Sequence, residues 1–394
     1  MFEHIEKLPD DPILKLSKLC RDDPRPEKID VGVGIFQDTT GETPVMRAVK
    51  AAEQRIWQRQ TTKKYVGVNG NDDYNQRMAE LILGSSYDTN RVRQNQAVAG
   101  TGALRIVAEV LRQIAAGKQF WTPDPTWGNH HAIFGACGFA AKTYPYYDRE
   151  KSIVNRDAFL AALEKMGLDD IVLLHGCCHN PSGADLTPAD WDKVADIAAK
   201  RGFLPVIDLA YLGFGEGIEP DAYGVRKLAS SLETLFIAAS CSKNFGLYRE
   251  RVGVVLTIAK DARTADALRS YLATASRAMV SMPPDHGAAV VAEILGDSAL
   301  RADWEKELNE VSAYIRLRRQ QLADALTKTC GGDWRFITDS HRGMFTLLPL
   351  GKERVERLRN DYAVYMVGEG RINIAGMKNE AEVARLAEAV KAVL

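Results

Sequence analysis

The chain has 394 residues, with 51 Lys or Arg and 52 Asp or Glu, so its formal net charge at pH 7 is −1. A chain of this length can bury a substantial core, and we expect it to form two structural domains. Its balanced charge gives no electrostatic reason to expect nucleic acid or a membrane surface as a partner. Small molecules and other copies of the chain are the expected partners.

The first residues and the cysteines bear on the cellular compartment. The N-terminus has no basic start followed by an apolar core, and no uncharged apolar run approaches membrane-spanning length. We therefore expect a cytoplasmic protein. The six cysteines are scattered, and the adjacent Cys177 and Cys178 make neither a disulfide framework nor a CxxC metal site. Buried reduced thiols are expected, and no metal site is predicted.

Between about residues 44 and 260, helical patterns alternate with short apolar runs, which predicts an α/β fold with a parallel sheet wrapped by helices. Thr43 and Pro44 resemble a helix N-cap followed by proline at the first helical position. That helix would place four apolar residues on one face: Val45, Val49, Ala52 and Ile56. The later strand candidates are residues 171–175, 203–208, 235–239 and 252–258, with a helix over residues 187–201 between the first two.

Polar residues follow three consecutive strand candidates. Asn180 comes after the first, Asp208 and Tyr211 at or after the end of the second, and residues 240–243 after the third. Ligands of open α/β sheets collect beyond the carboxyl ends of the strands, where loops converge. The three strand ends therefore predict one shared pocket. After residue 300 the pattern changes to a long charged helix over residues 302–326, then strand, helix, strand and helix, which predicts a smaller second domain.

Lys243 follows the strand candidate over residues 235–239, amid small hydroxyl residues, with Arg251 eight positions further on. This arrangement is typical of a lysine that forms an imine beside groups able to hold a phosphate. Taken alone, an exposed loop lysine would be the ordinary interpretation.

The run Gly100-Thr101-Gly102 introduces a predicted helix over residues 103–115. Free backbone N–H groups and a hydroxyl at a helix N-terminus favour a phosphate. The run lacks the third glycine of a dinucleotide fingerprint and the GK[ST] of a P-loop. Rossmann oxidoreductases and nucleotide hydrolases are therefore disfavoured.

Segments along essentially the whole chain resemble fold-type I pyridoxal phosphate enzymes, specifically the class I aminotransferases of the aspartate and aromatic (tyrosine) branch. In family order they are VGVGIFQDTTGETPV, KKYVG, AGTGALR, DPTWGNH, LLHGCCHNPSGADLT, VIDLAYLGFG, SCSKNFGLYRERVG, SRAMVSMPP, HRGMF and GRINIAG. The resemblance implies a large domain over residues 44–310 that binds pyridoxal 5′-phosphate on a mostly parallel seven-stranded sheet. It also implies a smaller α+β domain over residues 12–43 and 311–394, and an N-terminal arm over residues 1–11.

The resemblance assigns the catalytic roles. Lys243 looks like the lysine that binds the cofactor covalently and then moves a proton between substrate and cofactor, a role that needs an amine with a lowered pKa. Asp208 resembles the carboxylate that keeps the pyridinium nitrogen protonated, and a helix N-cap is its weaker alternative. Tyr211 and Asn180 match the residues that hydrogen-bond the phenolic oxygen of the cofactor.

The ring and its surroundings have further matches. Trp127 resembles the tryptophan that stacks on the pyridine ring and lines the substrate pocket, although an aromatic after a strand is more often simply core. His130 matches a partner of Asp208, and taken alone is more often a structural histidine. His175 and His179 would extend that network. Asn180-Pro181 falls where the family has a cis peptide bond.

Phosphate and carboxylate ligands complete the expected site. The phosphate would be held by Gly100, Thr101, Ser240, Ser242 and Arg251, and by Tyr65 from the neighbouring subunit. Arg371, assisted by Asn180 and the backbone of Gly34, looks like the clamp for the α-carboxylate of the substrate. Arg277 resembles the second arginine, which grips a distal carboxylate from the partner subunit. The resemblance therefore implies a homodimer with shared active sites.

Three positions depart from the aspartate-preferring pattern of the family: Gln37 replaces a usual lysine, Lys64 a usual asparagine, and Met282 a usual asparagine. Because methionine is apolar and adaptable, Met282 suits a pocket that accepts a ring. We expect an aromatic amino acid aminotransferase that passes the amino group of tyrosine or phenylalanine, and of tryptophan and aspartate, to 2-oxoglutarate. An aspartate aminotransferase with dicarboxylate preference is the alternative.

Two other classes of function use the same fold. A lyase or decarboxylase needs no grip on a dicarboxylate, so the two arginines Arg277 and Arg371 disfavour it. A non-catalytic binding module is disfavoured because all the catalytic positions are present.

Overall fold

The computed structural model describes residue 2, residues 4–8 and residues 11–394, so the predicted N-terminal arm lies partly outside the described residues. The helices are α1 Pro12–Asp22, α2 Arg47–Arg59, α3 Asp72–Leu83, α4 Ala99–Ile114, α5 Asn129–Gly135, α6 Arg156–Leu163, α7 Pro188–Arg201, α8 Ile218–Asp221, α9 Tyr223–Ser231, α10 Ala262–Val280, α11 His286–Gly296, α12 Ser298–Cys330, α13 Phe336–Asp339, α14 Lys352–Tyr362 and α15 Glu380–Val393. Among the described residues, no helix has the length and apolar character needed to cross a membrane.

The strands are β1 Ile29–Asp30, β2 Val92–Val98, β3 Gln119–Asp124, β4 Ala141–Pro145, β5 Tyr147–Asp148, β6 Ile153–Val154, β7 Asp170–His175, β8 Leu204–Leu209, β9 Leu235–Ser240, β10 Val252–Ile258, β11 Phe345–Leu347, β12 Val364–Tyr365 and β13 Arg371–Asn373. Seven of them form one sheet in the order β2-β10-β9-β8-β7-β3-β4. Its neighbours pair in parallel except at β10, which is antiparallel to both β2 and β9. The predicted mostly parallel seven-stranded sheet is confirmed.

Both faces of this sheet are covered, which explains why its central strands are apolar without interruption. Every residue of β9 and β10 is buried. Successive side chains of a strand point to opposite faces, and along β7 Ile171 and Leu173 join one hydrophobic cluster while Val172 and Leu174 join the other. The sheet thus lies between two hydrophobic cores, and packing on both faces holds the carboxyl ends of its strands in position.

The start of α2 differs from the sequence prediction. The helix begins at Arg47 and not at Pro44, and the predicted cap Thr43 donates its hydroxyl to a backbone carbonyl instead. The carboxylate of Glu307, on α12, accepts the first two backbone N–H groups of α2 at 2.8 and 3.1 Å. Val45, predicted on the buried face, therefore lies outside the helix and is 53% exposed. Acceptors for the first helical N–H groups come here from a distant helix.

Two other helices bear on the sequence predictions. Helix α7 begins as predicted, because Thr187 and Asp190 cap each other reciprocally. The long charged helix is confirmed as α12, which extends from Ser298 to Cys330 and so runs past the predicted domain boundary at residue 310. The division into domains stays a prediction. Two-stranded sheets pair β1, near the N-terminus, with β12, and β11 with β13.

Candidate active site

The carboxyl ends of β7, β8 and β9 lie side by side, as the strand order requires. In the register of the sheet Asp208 lies opposite His175 on one side and Ala238 on the other. Lys243 follows three residues after the end of β9. Its Nζ lies 4.9 Å from the centre of the Tyr211 ring, so the lysine and the loop after β8 meet at the edge of the sheet.

The surroundings of Lys243 favour the neutral form of its amine. Desolvation by the surrounding protein lowers its pKa to about 8, with the charge of Arg251 acting in the same direction and that of Asp208 opposing. With a pKa near 8, about a tenth of the amines are neutral at pH 7, compared with less than about a thousandth at the ordinary value. Such an amine fits the role that the resemblance implies for Lys243.

Asp208 is buried and belongs to a chain of hydrogen-bonded groups. Its Oδ2 lies 2.9 Å from Nε2 of His130, whose Nδ1 lies 2.8 Å from the hydroxyl of Thr126. That hydroxyl is also 3.1 Å from Nε2 of His175. Burial raises the pKa of Asp208, but the hydrogen bond and charge of His130, followed by His175 and Lys243, outweigh it and leave the pKa lowered. Asp208 is therefore held as a carboxylate.

In this hydrogen-bonded network His130 is buried and His175 is partly buried. Burial lowers the pKa of His175 to about 3, with His130 acting in the same direction and Asp208 opposing, so His175 is neutral. The Trp127 ring stands edge-on to His130, with 5.2 Å between ring centres. The predicted contact of His130 with Asp208 is present, and Thr126 is a member that the sequence analysis did not single out.

Tyr211 and Asn180 meet as the resemblance implies. Asn180 Nδ2 donates to the Tyr211 hydroxyl at 3.4 Å, and the Asn180-Pro181 peptide bond is cis. Burial, and secondarily the charge of Asp208, raise the pKa of Tyr211 well above its usual value. Tyr211 is therefore a neutral phenol that can donate a hydrogen bond.

Hydroxyl and guanidinium groups lie together beside the start of α4. Ser240 donates to the Ser242 hydroxyl at 3.1 Å, and Nη1 of Arg251 donates to the same hydroxyl at 3.4 Å. A Cβ added to Gly100 would come within 3.2 Å of the Ser240 Cβ, so only glycine leaves this approach free. Ser240 thus lies against the first turn of α4, and hydrogen bonds link it through Ser242 to Arg251.

The helix α4 begins earlier than predicted, at Ala99 instead of residue 103. Gly100 and Thr101 consequently lie inside its first turn, where backbone N–H groups have no partner within the helix. Such a terminus, next to hydroxyls and a guanidinium, fits a phosphate group. The predicted phosphate-binding residues of this chain are therefore brought together, and they suit the cofactor that the resemblance implies.

Arg371 is buried in the same region. Its Nη2 donates to the Gly32 carbonyl at 2.7 Å and its Nη1 to Oδ1 of Asn180 at 3.2 Å. The guanidinium carbon lies 4.5 Å from the centre of the Phe345 ring, and a Cβ on Gly34 would come within 2.9 Å of that ring. The sequence analysis did not assign a role to Phe345, although it lies in the HRGMF segment. Burial lowers the pKa of Arg371, and the charge of Tyr211 opposes this shift.

The guanidinium of Arg371 has N–H donors that its protein contacts do not use. A guanidinium carries five N–H groups, and the two protein bonds use one on each terminal nitrogen. Its Nε is buried and has no hydrogen-bond partner among the described residues. The unused donors fit a carboxylate, which takes paired N–H bonds from arginine. A cavity of about 610 Å³ opens beside Arg371, with Trp127, Asn180, Ile13, Leu347 and Val367 in its lining.

Tyr65 and Arg277 are placed differently. Tyr65 is 89% exposed, and Arg277 is exposed at the end of α10, where its Nη1 donates to the Ser281 hydroxyl at 2.7 Å. Neither lines the cavity beside Arg371. Within one chain, the structure therefore does not bring these two predicted residues to the others. The backbone N–H of Val66, next to Tyr65, donates to the sulfur of Met282 at 3.2 Å.

Comparisons with known proteins agree with this geometry. Residues 26–390 match the family model described as aminotransferase class I and II. The chain is 43% identical to the aspartate aminotransferase of Escherichia coli over 100% of both chains. It is 44% identical to the aromatic-amino-acid aminotransferase of Paracoccus denitrificans over 99% of both chains. The structure of an aromatic-amino-acid aminotransferase from Burkholderia pseudomallei, covalently bound to pyridoxal phosphate, superposes with a TM-score of 0.96 at 38% identity, covering 100% of this chain and 99% of that one.

Proposed function

The chain belongs to the class I and II aminotransferases and is a pyridoxal phosphate-dependent transaminase, and from this premise we propose that it takes amino groups from aromatic amino acids. Tyrosine and phenylalanine are the main donors, tryptophan and aspartate are also used, and 2-oxoglutarate is the acceptor in a ping-pong cycle. The observation that carries the proposal is the cavity beside Arg371, where the apolar side chains of Ile13, Leu347 and Val367 accompany the Trp127 ring. These side chains suit the ring of a donor.

In this proposal each group of the chain has one task. The cofactor, when bound, supplies the electron sink that stabilises a carbanion at the substrate Cα. Lys243 provides the amine that holds the cofactor and then accepts and returns the Cα proton, which its lowered pKa permits. Asp208, held ionised by His130, would stabilise a positive charge on the pyridine nitrogen of the cofactor. Tyr211, which is oriented by Asn180, would donate a hydrogen bond to the phenolic oxygen of the cofactor.

The ends of the ligands are bound by separate groups. Ser240, Ser242 and Arg251, with the first turn of α4, would hold the phosphate of the cofactor. Arg371 binds the α-carboxylate with its unused donors, while its bond to Asn180 fixes the plane of the guanidinium. Gly34 lies beside the Phe345 ring that packs on Arg371, so its backbone is placed to assist.

An aspartate aminotransferase with dicarboxylate preference is the second candidate, and the 43% identity to an enzyme of that name favours it. Single-turnover spectroscopy separates the two: purified protein is mixed with tyrosine, phenylalanine or aspartate in turn, and the absorbance of the cofactor is followed. The proposal expects the aromatic donors to react at least as fast as aspartate. A reaction with aspartate alone would leave the transaminase and replace its substrate.

We further propose a cytoplasmic homodimer in which Tyr65 reaches the phosphate, and Arg277 the distal carboxylate, of the neighbouring subunit. The exposure of both residues supports this arrangement. Lys243→Ala and Arg277→Ala subunits, each almost inactive with aspartate, would form mixed dimers in which one site has both residues intact. Refolding the two in equal amounts is expected to restore about a quarter of the wild-type rate. No gain over the separate variants would mean that Arg277 acts within its own chain.

A further inference from the structure

Two thiols and a carboxylate converge outside the active site. Among the described residues, Cys177, Cys178 and Asp221 place one ligand atom each within 4.8 Å of one another. All three residues are buried. The cysteines directly follow β7 and Gly176, and Asp221 ends α8. The sequence pattern gave no sign of this group, because the third member lies more than forty residues along the chain.

The carboxylate of this group is fixed in position. Its Oδ2 accepts the backbone N–H groups of Gly213 and Gly215 at 2.8 and 2.9 Å, and its Oδ1 accepts that of Glu216 at 2.9 Å. A carboxylate oxygen has two lone pairs, so Oδ2 is fully used by its two bonds, whereas Oδ1 retains one lone pair that can bind a cation. The group thus needs little rearrangement of Asp221 to bind a cation.

A small cavity adjoins the group. It measures about 240 Å³, and Cys177, Asp221 and Asp185 contribute to its lining. Asp185 accepts the backbone N–H groups of Cys178 and His179 at 2.6 and 2.8 Å. This space is large enough to admit water as a fourth ligand.

We propose that Cys177, Cys178 and Asp221 bind one thiophilic divalent cation, of which Zn²⁺ and Cd²⁺ are the examples, and that the bound cation slows transamination. Two sulfurs select such ions over Mg²⁺ or Ca²⁺, and a sulfur-rich set with one carboxylate and one water completes four-coordination. Binding forms two metal–sulfur bonds and one metal–oxygen bond while the two thiols release their protons to solvent. No electron is transferred and the metal stays divalent.

The site is connected to catalysis through its own loop. Cys178 Sγ lies 3.9 Å from the Tyr211 carbonyl oxygen, and Asn180, two residues further on, contacts both Tyr211 and Arg371. Drawing Cys177 and Cys178 toward a cation shifts this loop and disturbs those contacts. The cavity beside the thiols shares no lining residue with the cavity beside Arg371, so a bound amino acid and the cation do not compete for the same space.

Cadmium alone, added to the purified holoenzyme, tests binding without any use of activity. Thiolate coordination to Cd²⁺ produces an ultraviolet charge-transfer absorbance, which is titrated in the wild type, Cys177→Ser, Cys178→Ser and Cys330→Ser. Cys330 is the matched control, since it is a half-buried thiol remote in sequence whose Sγ contacts the Ala387 carbonyl instead. The expected result is one ion per chain in the wild type and in Cys330→Ser, with affinity at least about tenfold weaker when either Cys177 or Cys178 is replaced.

A crystal of the wild type soaked in Cd²⁺ gives a second test that needs no variant to fold. An anomalous peak between the Cys177 and Cys178 sulfurs and the Asp221 carboxylate supports the site, and its absence overturns it. Turnover with saturating tyrosine is expected to fall on Cd²⁺ addition in the wild type and Cys330→Ser, but not in Cys177→Ser or Cys178→Ser. Equal inhibition in all four proteins would overturn the proposal, whereas failure of the substrate assignment alone would leave the absorbance titration unchanged.

Discussion

Replacement of Arg371 by lysine keeps one cation in the site but removes the planar pair of donors. In the structure, Arg371 bonds to Gly32 and Asn180 and packs on the Phe345 ring, so its plane is fixed before any substrate arrives. A lysine amine can approach the same carboxylate as a point charge, but it cannot offer two parallel N–H groups. The variant is therefore expected to retain the cofactor and lose part of its grip on the substrate.

The size of the loss follows from the bonds involved. Arg371 has three N–H groups beyond its protein contacts, and the substitution removes at least one charged hydrogen bond to the carboxylate. A hydrogen bond to a charged group is worth about 1.5–3 kcal/mol, which lowers kcat/KM by about 10- to 150-fold. The expected loss lies in this range for tyrosine.

The assay compares two amines that differ only in the carboxylate. Single turnovers with tyrosine and with tyramine are followed by the cofactor absorbance in the wild type, Arg371→Lys and Arg354→Lys. Arg354 is a control on α14, where its Nη2 donates to the carbonyl of Leu394 at 3.4 Å. Arg371→Lys is expected to slow the reaction with tyrosine and leave the rate with tyramine unchanged. An equal loss with both amines would refute the reasoning, because the substitution would then act on the cofactor and not on the carboxylate.

Further predictions concern the amine, the helix start and the pocket. Cofactor-free protein is expected to take up pyridoxal phosphate faster as pH rises through about 8, because the neutral fraction of the Lys243 amine increases around its lowered pKa. Lys243→Ala should show no covalent uptake. An inflection of the uptake rate near the ordinary lysine pKa would contradict this prediction. Glu307→Ala removes the acceptor for the first N–H groups of α2 and should lower the free energy of unfolding, measured in urea, by about 1–2 kcal/mol. Glu310 lies on the same helix face and its side chain is 54% exposed, so Glu310→Ala should change this free energy by less than about 0.5 kcal/mol. Met282→Asn should reduce the ratio of kcat/KM for tyrosine over aspartate by about tenfold, and an unchanged ratio would remove Met282 from the specificity determinants.

The central strands were predictable from the sequence because both of their faces are buried. Strand β10 has the predicted bounds, β7 and β9 differ from prediction by one residue at one end, and β8 is shifted by one residue at both ends. Strands β2, β3 and β4 were not predicted: β2 and β4 form the two edges of the sheet and carry polar residues at exposed or partly exposed positions, and β3, next to β4, begins and ends with an exposed polar residue. Edge strands lack the continuous apolar run by which buried parallel strands are recognised.

The start of α2 was not predictable from neighbouring residues. Thr43 and Pro44 have the local chemistry of a cap, yet Glu307, some 260 positions away, supplies the acceptors that begin the helix. A local rule cannot anticipate an acceptor that tertiary packing provides. The same reason hides the contact of Thr126 with His175 and the approach of Asp221 to the two thiols, since each joins separate loops at one edge of the sheet.

The charges of the site explain why a chain with a net charge of −1 would select doubly anionic ligands. Arg251 and Arg371 contribute two fixed cations, while Asp208 contributes one carboxylate that His130 already contacts. Desolvation is the main cause of the lowered pKa of Lys243, with Asp208 opposing the shift and Arg251 adding to it. A phosphate near Arg251 and a carboxylate near Arg371 would each compensate one cation in a partly desolvated site, where such interactions are stronger than in water. An amine without a carboxylate would leave Arg371 uncompensated, which is why the tyramine comparison isolates the contribution of that residue.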